Sequence, residues 1–170
     1  MFDAIALGWC LEWIEQSQPS LWPMLVSAVE ERLALPLSPL IEAHDAWCLA
    51  CTHCSKSLDQ LFETCRRLAE AQALEARWCW RPAGLELVKV VGDAASGNTS
   101  DAWGCLGLLR GWIGHAGGSD AQAMVRQQTA LTVAKADGAF PGVEAIVAAM
   151  RRDRSALTPL DRLWLSGISP

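Results

Sequence analysis

The sequence predicts an all-α protein: one compact domain over residues 1–170, of about eight helices packed as a bundle or as stacked helix pairs. Three observations predict it. Apolar residues recur at steps of three and four almost throughout the chain. Strand signals, such as Asn-Gly between alternating runs, are absent. The breaks between periodic runs are short, carry Pro, Gly and Ser, and leave no linker that would divide the chain.

Taken in order, Phe2, Ile5, Trp9 and Trp13 step by three and four and give a first helix that stops near "QSQPS". Ser20 is placed to cap a second, "LWPMLVSAVEERLAL", with Pro23 in its first turn. "PLSP" at 36–39 breaks the chain again, because proline lacks a donor and restricts the residue before it. A third segment runs from about Leu40 into the cysteine-rich stretch. Ser57 and Gln60 have the spacing of a capping box, and a helix follows through "LDQLFETCRRLAEAQALEARWCW", split before Trp78 if at all. "LELVKVV" has strand-like residues but helical flanks and nothing to pair with, so it is assigned to a helix. "ASGNTS" is a loop, with Thr99 or Ser100 capping "DAWGCLGLLRGWIGHA". "DAQAMVRQQTALTVAKA", "VEAIVAAMRRD" and "TPLDRLWLSG" complete the helices.

Composition narrows the function. Hydrophobic residues make up 51% and charged residues 19%, which places the chain far from the disordered class. Nine Trp, three Phe and no Tyr imply a thick core, an aromatic contact surface, or both. The net charge is −5 and uneven: residues 1–55 hold seven acids (Asp3, Glu12, Glu15, Glu30, Glu31, Glu42, Asp45) and one base, Arg32. That acidity reads as a solvated face, or as a surface steering a basic protein partner. No basic stripe exists to neutralise phosphates, so nucleic acid is not an expected partner. No run reaches the roughly 18 apolar residues of a membrane span, and "MFDAIALGWCLEWIEQ" lacks the basic start of a secretory leader. A cytoplasmic location is the expectation. Seven Cys is an odd count and predicts free thiols, not a disulfide framework.

The densest chemistry is "DAWCLACTHCSK" at 45–56. Cys48, Cys51, His53 and Cys54 are the candidate ligands of a metal site, with zinc as the ion, or the thiols of a redox site. The spacing argues against both. The Cys-x2-Cys spacings Cys48–Cys51 and Cys51–Cys54 share Cys51, so no separate second pair is present, and no strand precedes them as a thioredoxin-like dithiol requires. Trp47, Cys51, Cys54, Leu58, Leu61, Cys65 and Leu68 step by four and three in turn, one apolar stripe on a single helix through 45–68. On a helix His44 and Cys51 sit about 10 Å apart along the axis, too far to share one ion with Cys48. Core packing, with Cys as a small hydrophobe, is the favoured reading.

Other constellations are weaker. His115 beside Ser119 and Asp120 spells the residues of a hydrolytic triad, but Gly117 and Ser119 read better as a helix stop and the next cap. Gly104, Gly107, Gly111 and Gly114 favour close helix approach. "MRRDR" at 150–154 reads as a solvated helix end. Trp9, Trp13, Trp78, Trp80 and Trp112 are the candidate partner-binding residues, since exposed aromatics anchor interfaces.

The run "AEAQALEARWCW", followed by "SDAWGCLGLLRGWIGHAGGSD" and "QQTALTVAKADG", resembles a bacterial Ala- and Trp-rich helical family classed as a domain of unknown function and linked to type VI secretion loci. The resemblance covers roughly residues 58–150. Glu75, Trp78, Trp80, Trp103, Trp112, Gly117 and Gly118 occupy its recurring positions. Its Pro-rich stretch is missing here, residues 1–56 have no counterpart in it, and it carries over no catalytic residue. It implies an all-α accessory protein. The expected function is therefore a non-enzymatic adaptor, chaperone or accessory protein whose partner is another protein, a secretion-system component or effector. The competing expectation is a metal or redox protein built on the cysteine cluster.

Overall fold

The computed structural model describes residues 2–13, 18–71, 80, 84–102, 129 and 162. Every regular element among them is helical, and the all-α class holds. Five helices have defined bounds: α1 Phe2–Trp13, α2 Leu21–Glu30, α3 Pro39–Cys51, α4 Ser55–Glu70 and α5 Gly84–Ala95. Residues 99–102 are helical too, as are Thr129, which is buried, and Arg162, which is exposed. The helices expected in residues 103–170 otherwise lie outside the described residues.

α3 is the centre. It packs against α1, α2, α4 and, most extensively, α5. The cause is local sequence. Ser38 is extended (φ −158°, ψ 154°) and its hydroxyl accepts the Ile41 N–H at 3.4 Å, while Pro39 occupies the first helical position, where a missing N–H costs nothing. The helix that follows is apolar on several faces and is buried from Pro39 to Ala50, apart from Ile41. Leu87, Val88, Val90 and Val91 of α5 are buried with Leu49 and Cys48 in one core, and Trp9 and Ile5 of α1 join it. "LELVKVV" is thus helical, because its valines pack against a helix and find no strand to pair with. Two glycines permit the closest approaches: a Cβ at Gly8 would lie 2.6 Å from Leu21 Cδ2, and one at Gly92 would lie 2.8 Å from Phe62 Cζ.

Several expected boundaries move. Ser20 stands before α2 but is helical (φ −72°, ψ −16°) and makes no side-chain cap, since a cap needs an extended backbone and Pro23, at the third helical position, has no N–H to donate. α2 stops at Glu30, and residues 31–35 wind on with i→i−3 bonds, such as Leu35 N–H to Arg32 O at 2.9 Å. The single helix through 45–68 is in fact two. α3 ends at Cys51 and α4 starts at Ser55, so Ser57 is already inside the helix; its hydroxyl donates to Glu30 Oε1 at 2.6 Å instead of forming the capping box. α4 ends at Glu70, where Ala71 turns extended (ψ 143°). Asn98, not Thr99 or Ser100, precedes helical residues 99–102, and its carbonyl accepts the Ala102 N–H at 3.1 Å.

Candidate functional site

The break inside "CTHCS" is a Schellman turn. The Cys54 N–H reaches back to Leu49 O at 2.9 Å and the His53 N–H to Ala50 O at 3.0 Å, the paired bonds that satisfy the last carbonyls of α3. His53 takes the left-handed position at φ 56°, where glycine is usual. α5 closes with the same two bonds, Asn98 N–H to Asp93 O at 2.8 Å and Gly97 N–H to Ala94 O at 3.2 Å, with Gly97 at φ 81°. The two turns face a common cleft of about 470 Å³, lined by Leu49, His53, Asp59, Phe62, Asp93 and Asn98 among others. Burial pushes the Asp93 carboxyl up from its usual range, against the pull of Lys89.

This geometry places the candidate metal ligands at different depths. Cys48 is fully buried, and its Sγ donates to Trp22 O at 3.9 Å. Cys51 is half-buried against the core. Cys54 is half-buried and donates to Thr52 O at 3.7 Å, and His53 faces solvent. Burial pushes the Cys48 and Cys65 thiols up to about 12, so both are protonated, weak nucleophiles. Among the described residues no group of three or more His, Cys, Asp and Glu has the geometry to hold a metal ion.

The candidate partner-binding tryptophans are also core residues where they are described. Trp9 is fully buried, stacked on Trp47 with centroids 4.6 Å apart and edge-on to His44 at 5.1 Å. Trp80 is buried as well. As placed, neither presents a surface to a partner. The side chain of Trp13, and Trp78 and Trp112 altogether, lie outside the described residues, as do Glu75, Trp103, Gly117 and Gly118 of the family resemblance and the His115–Ser119–Asp120 grouping. The exposed large apolar side chains are instead Leu7 (59%), Met24 (78%), Leu35 (75%) and Leu37 (63%).

A cluster that the sequence reading did not find lies beneath Leu35 and Leu37. Glu42 and Asp45, expected on a solvated acidic face, are both fully buried on α3. Arg32 pairs with Asp45 and lies 3.8 Å from Glu42 Oε1, which also accepts the Leu37 N–H at 2.8 Å. Burial dominates their chemistry. Asp45 is pushed up to about 7, with Arg32 opposing the shift and Glu42 adding to it. Glu42 is raised by burial too, against the pull of the Leu37 N–H and Arg32. His44, whose Nδ1 donates to Leu40 O at 2.7 Å, is lowered by burial, which disfavours its cation. A signal for this cluster existed: Arg32 is the single base of the first 55 residues, and Glu42 and Asp45 lie three apart on an otherwise apolar helix.

Chemically the cluster stores charge and protons, and it lacks an activated nucleophile. No described helix is long and apolar enough to cross a membrane. No family model, curated protein or solved structure matches the chain.

Proposed function

We propose that this chain is a cytoplasmic, non-enzymatic interaction factor that binds another protein through exposed apolar side chains of α2 and of the segment that follows it. Met24, Leu35 and Leu37, exposed at 78%, 75% and 63%, are the observation that carries the reading. Isolated exposed leucines are ordinary on any surface. Here Leu35 and Leu37 lie two residues apart on one segment, and α2, which leads into it, carries Met24.

The charge around them supports a basic partner. Arg32 is the only base among the first 55 residues and its guanidinium is turned inward onto Asp45, while Glu30 and Glu31 are exposed. The outward charge of this region is therefore acidic, and acidic rims steer and orient basic partners. The further placement, as an adaptor, chaperone or accessory protein of a bacterial secretion system, rests on the resemblance of residues 58–150 to the Ala- and Trp-rich family.

Co-purification from the native host tests the reading. Leu35→Glu and Leu37→Glu are surface changes that leave the fold intact, and they are expected to abolish recovery of a protein captured by the parent chain. Equal recovery by the parent and the double variant, or no captured protein at all, removes the reading.

A further inference from the structure

We propose that Arg32, Glu42 and Asp45 form a protonation-controlled latch that fixes residues 31–38, the segment presenting Leu35 and Leu37, against α3. The proposal rests on the docking reading only for what the latch regulates; the latch itself stands on separate observations.

Both carboxylates belong to the central helix, which four other helices hold in place. Their partners come from the segment outside it. The Arg32 side chain pairs with Asp45, and the Leu37 backbone N–H donates to Glu42 Oε1 at 2.8 Å. The segment is thus tied to α3 near both its ends, at each by a carboxylate. Between the ties it has no regular helix, and Leu35 and Leu37 point outward. Of its apolar side chains only Leu33 is buried.

The arrangement holds two acids against one guanidinium, and Glu42 Oε2 accepts no hydrogen bond among the described residues. Among the described residues α4 carries Lys56, Arg66 and Arg67 and α5 carries Lys89, but Arg32 is the cation whose charge acts on Glu42 and Asp45. On α3, burial lowers the His44 pKa and so disfavours its cation, and Cys48 is a protonated thiol; α4 contributes the thiol of Cys65. α1 brings Trp9, and α5 buries Leu87, Val88, Val90 and Val91.

With one proton on the acid pair, the cluster is electrically neutral and stays dry. Loss of that proton leaves one uncompensated negative charge in the interior, which is costly unless water reaches it. Arg32, 15% exposed, marks the side from which water comes. Lifting residues 31–38 admits that water, whereas α3 has no room to move. The latch therefore closes the apolar segment when protonated and releases it when ionised, and a basic partner supplies the missing cation to the released form.

Hydrogen exchange on the full chain, measured without any partner and divided by the intrinsic chemical rate at each pH, reads this directly. Protection of residues 31–38 is expected to fall about tenfold from pH 6 to pH 8, following one ionisation centred between them, while α4 stays protected. Glu42→Gln keeps an oxygen for the Leu37 N–H and leaves one acid for one guanidinium, so its protection at pH 8 is expected to match the parent at pH 6. Asp45→Asn is the second variant if the first fails to fold. Equal parental protection at the two pH values, an equal loss across α4, or an undiminished drop in either folded variant overturns the latch. Because no partner is present, such a failure leaves the docking reading to the Leu35 and Leu37 variants, and the reverse holds.

Discussion

α3 and α4 are consecutive helices that keep their polar residues in opposite places. α4 is amphipathic: Leu58, Leu61, Cys65 and Leu68 face the core, while Glu63, Arg66 and Glu70 face water. α3 is buried nearly all round, and Glu42, His44 and Asp45 are buried with the rest of it. Each helix has an arginine with two carboxylates. On α4, Arg66 bonds Glu63 at 2.8 Å and Glu70 at 2.6 Å in water. Around α3, Arg32 meets Asp45 and Glu42 with both acids at zero exposure. The same charges thus have different consequences. Outside, solvent screens them and either partner is dispensable. Inside, they hold one another in place, and losing one strands the rest.

The largest effect follows from Arg32. Arg32→Ala leaves two buried acids without their cation, and breaking a buried pair in this way costs about 3–5 kcal/mol. Denaturant melts at pH 8 are expected to show that loss, and at pH 5 a smaller one, because both stranded acids then protonate. An equal loss at both pH values shows that the guanidinium acts by packing alone.

The next effect is the pH profile of the intact chain. Asp45 has a folded pKa of about 7 against an ordinary value of 3.8, and Glu42 is shifted the same way. Acids raised on folding contribute stability that is fully present below their unfolded pKa and is lost as pH rises through the folded one. His44 is lowered from 6.5, so its contribution is present above 6.5 and is lost as pH falls below that value. The two signs oppose each other between the unfolded Asp value and 6.5. His44→Gln separates them. Its stability is expected to climb as pH falls from above 7 to about 5, by a few kcal/mol at most. Adding Asp45→Asn removes most of that climb, and a flat His44→Gln profile means that the acids are not raised.

How much of this was legible beforehand depends on which signal each feature left. The all-α class follows from apolar spacing, and Pro36 and Pro39 mark the start of α3. Of the stripe Trp47, Cys51, Cys54, Leu58, Leu61, Cys65 and Leu68, Trp47, Leu58, Leu61 and Cys65 are buried, while Cys51, Cys54 and Leu68 are half-buried against the core. The stripe crosses a break that it conceals, because four-three stepping continues through Thr52, His53 and Cys54 as though the helix were unbroken. A Schellman turn normally announces itself by glycine, as at Gly97; at His53 it does not. Trp9 shows a different limit: residue type cannot say whether a tryptophan fills a core or a surface, and here it is buried and stacked on Trp47. The buried acids escaped because composition counts charges without placing them.

His53 gives a smaller test of the two turns. A non-glycine residue in the left-handed region costs roughly 1 kcal/mol, and the two Schellman turns share their hydrogen bonds, so the difference resides in the side chain. His53→Gly is expected to raise stability by about 0.5–1 kcal/mol in denaturant melts. A loss of stability instead reveals that the imidazole, exposed at the cleft shared with Asp93 and Asn98, makes a compensating contact there.

The smallest effect is expected from the best-looking ion pairs. Arg66 makes three hydrogen bonds to two carboxylates, at 2.9 Å and 2.8 Å to Glu63 and 2.6 Å to Glu70, which is better geometry than Arg32 achieves with Glu42 at 3.8 Å. Judged by distance, Arg66 should matter more. Judged by solvent, it should matter little: its side chain is about half exposed, its partners more so, and water replaces each bond on removal. Arg66→Ala is therefore expected to melt indistinguishably from the parent at physiological salt, while Arg32→Ala does not. Comparable losses in the two variants would show that hydrogen-bond geometry, and not burial, sets the worth of an arginine in this protein, and the contrast between α3 and α4 would then collapse.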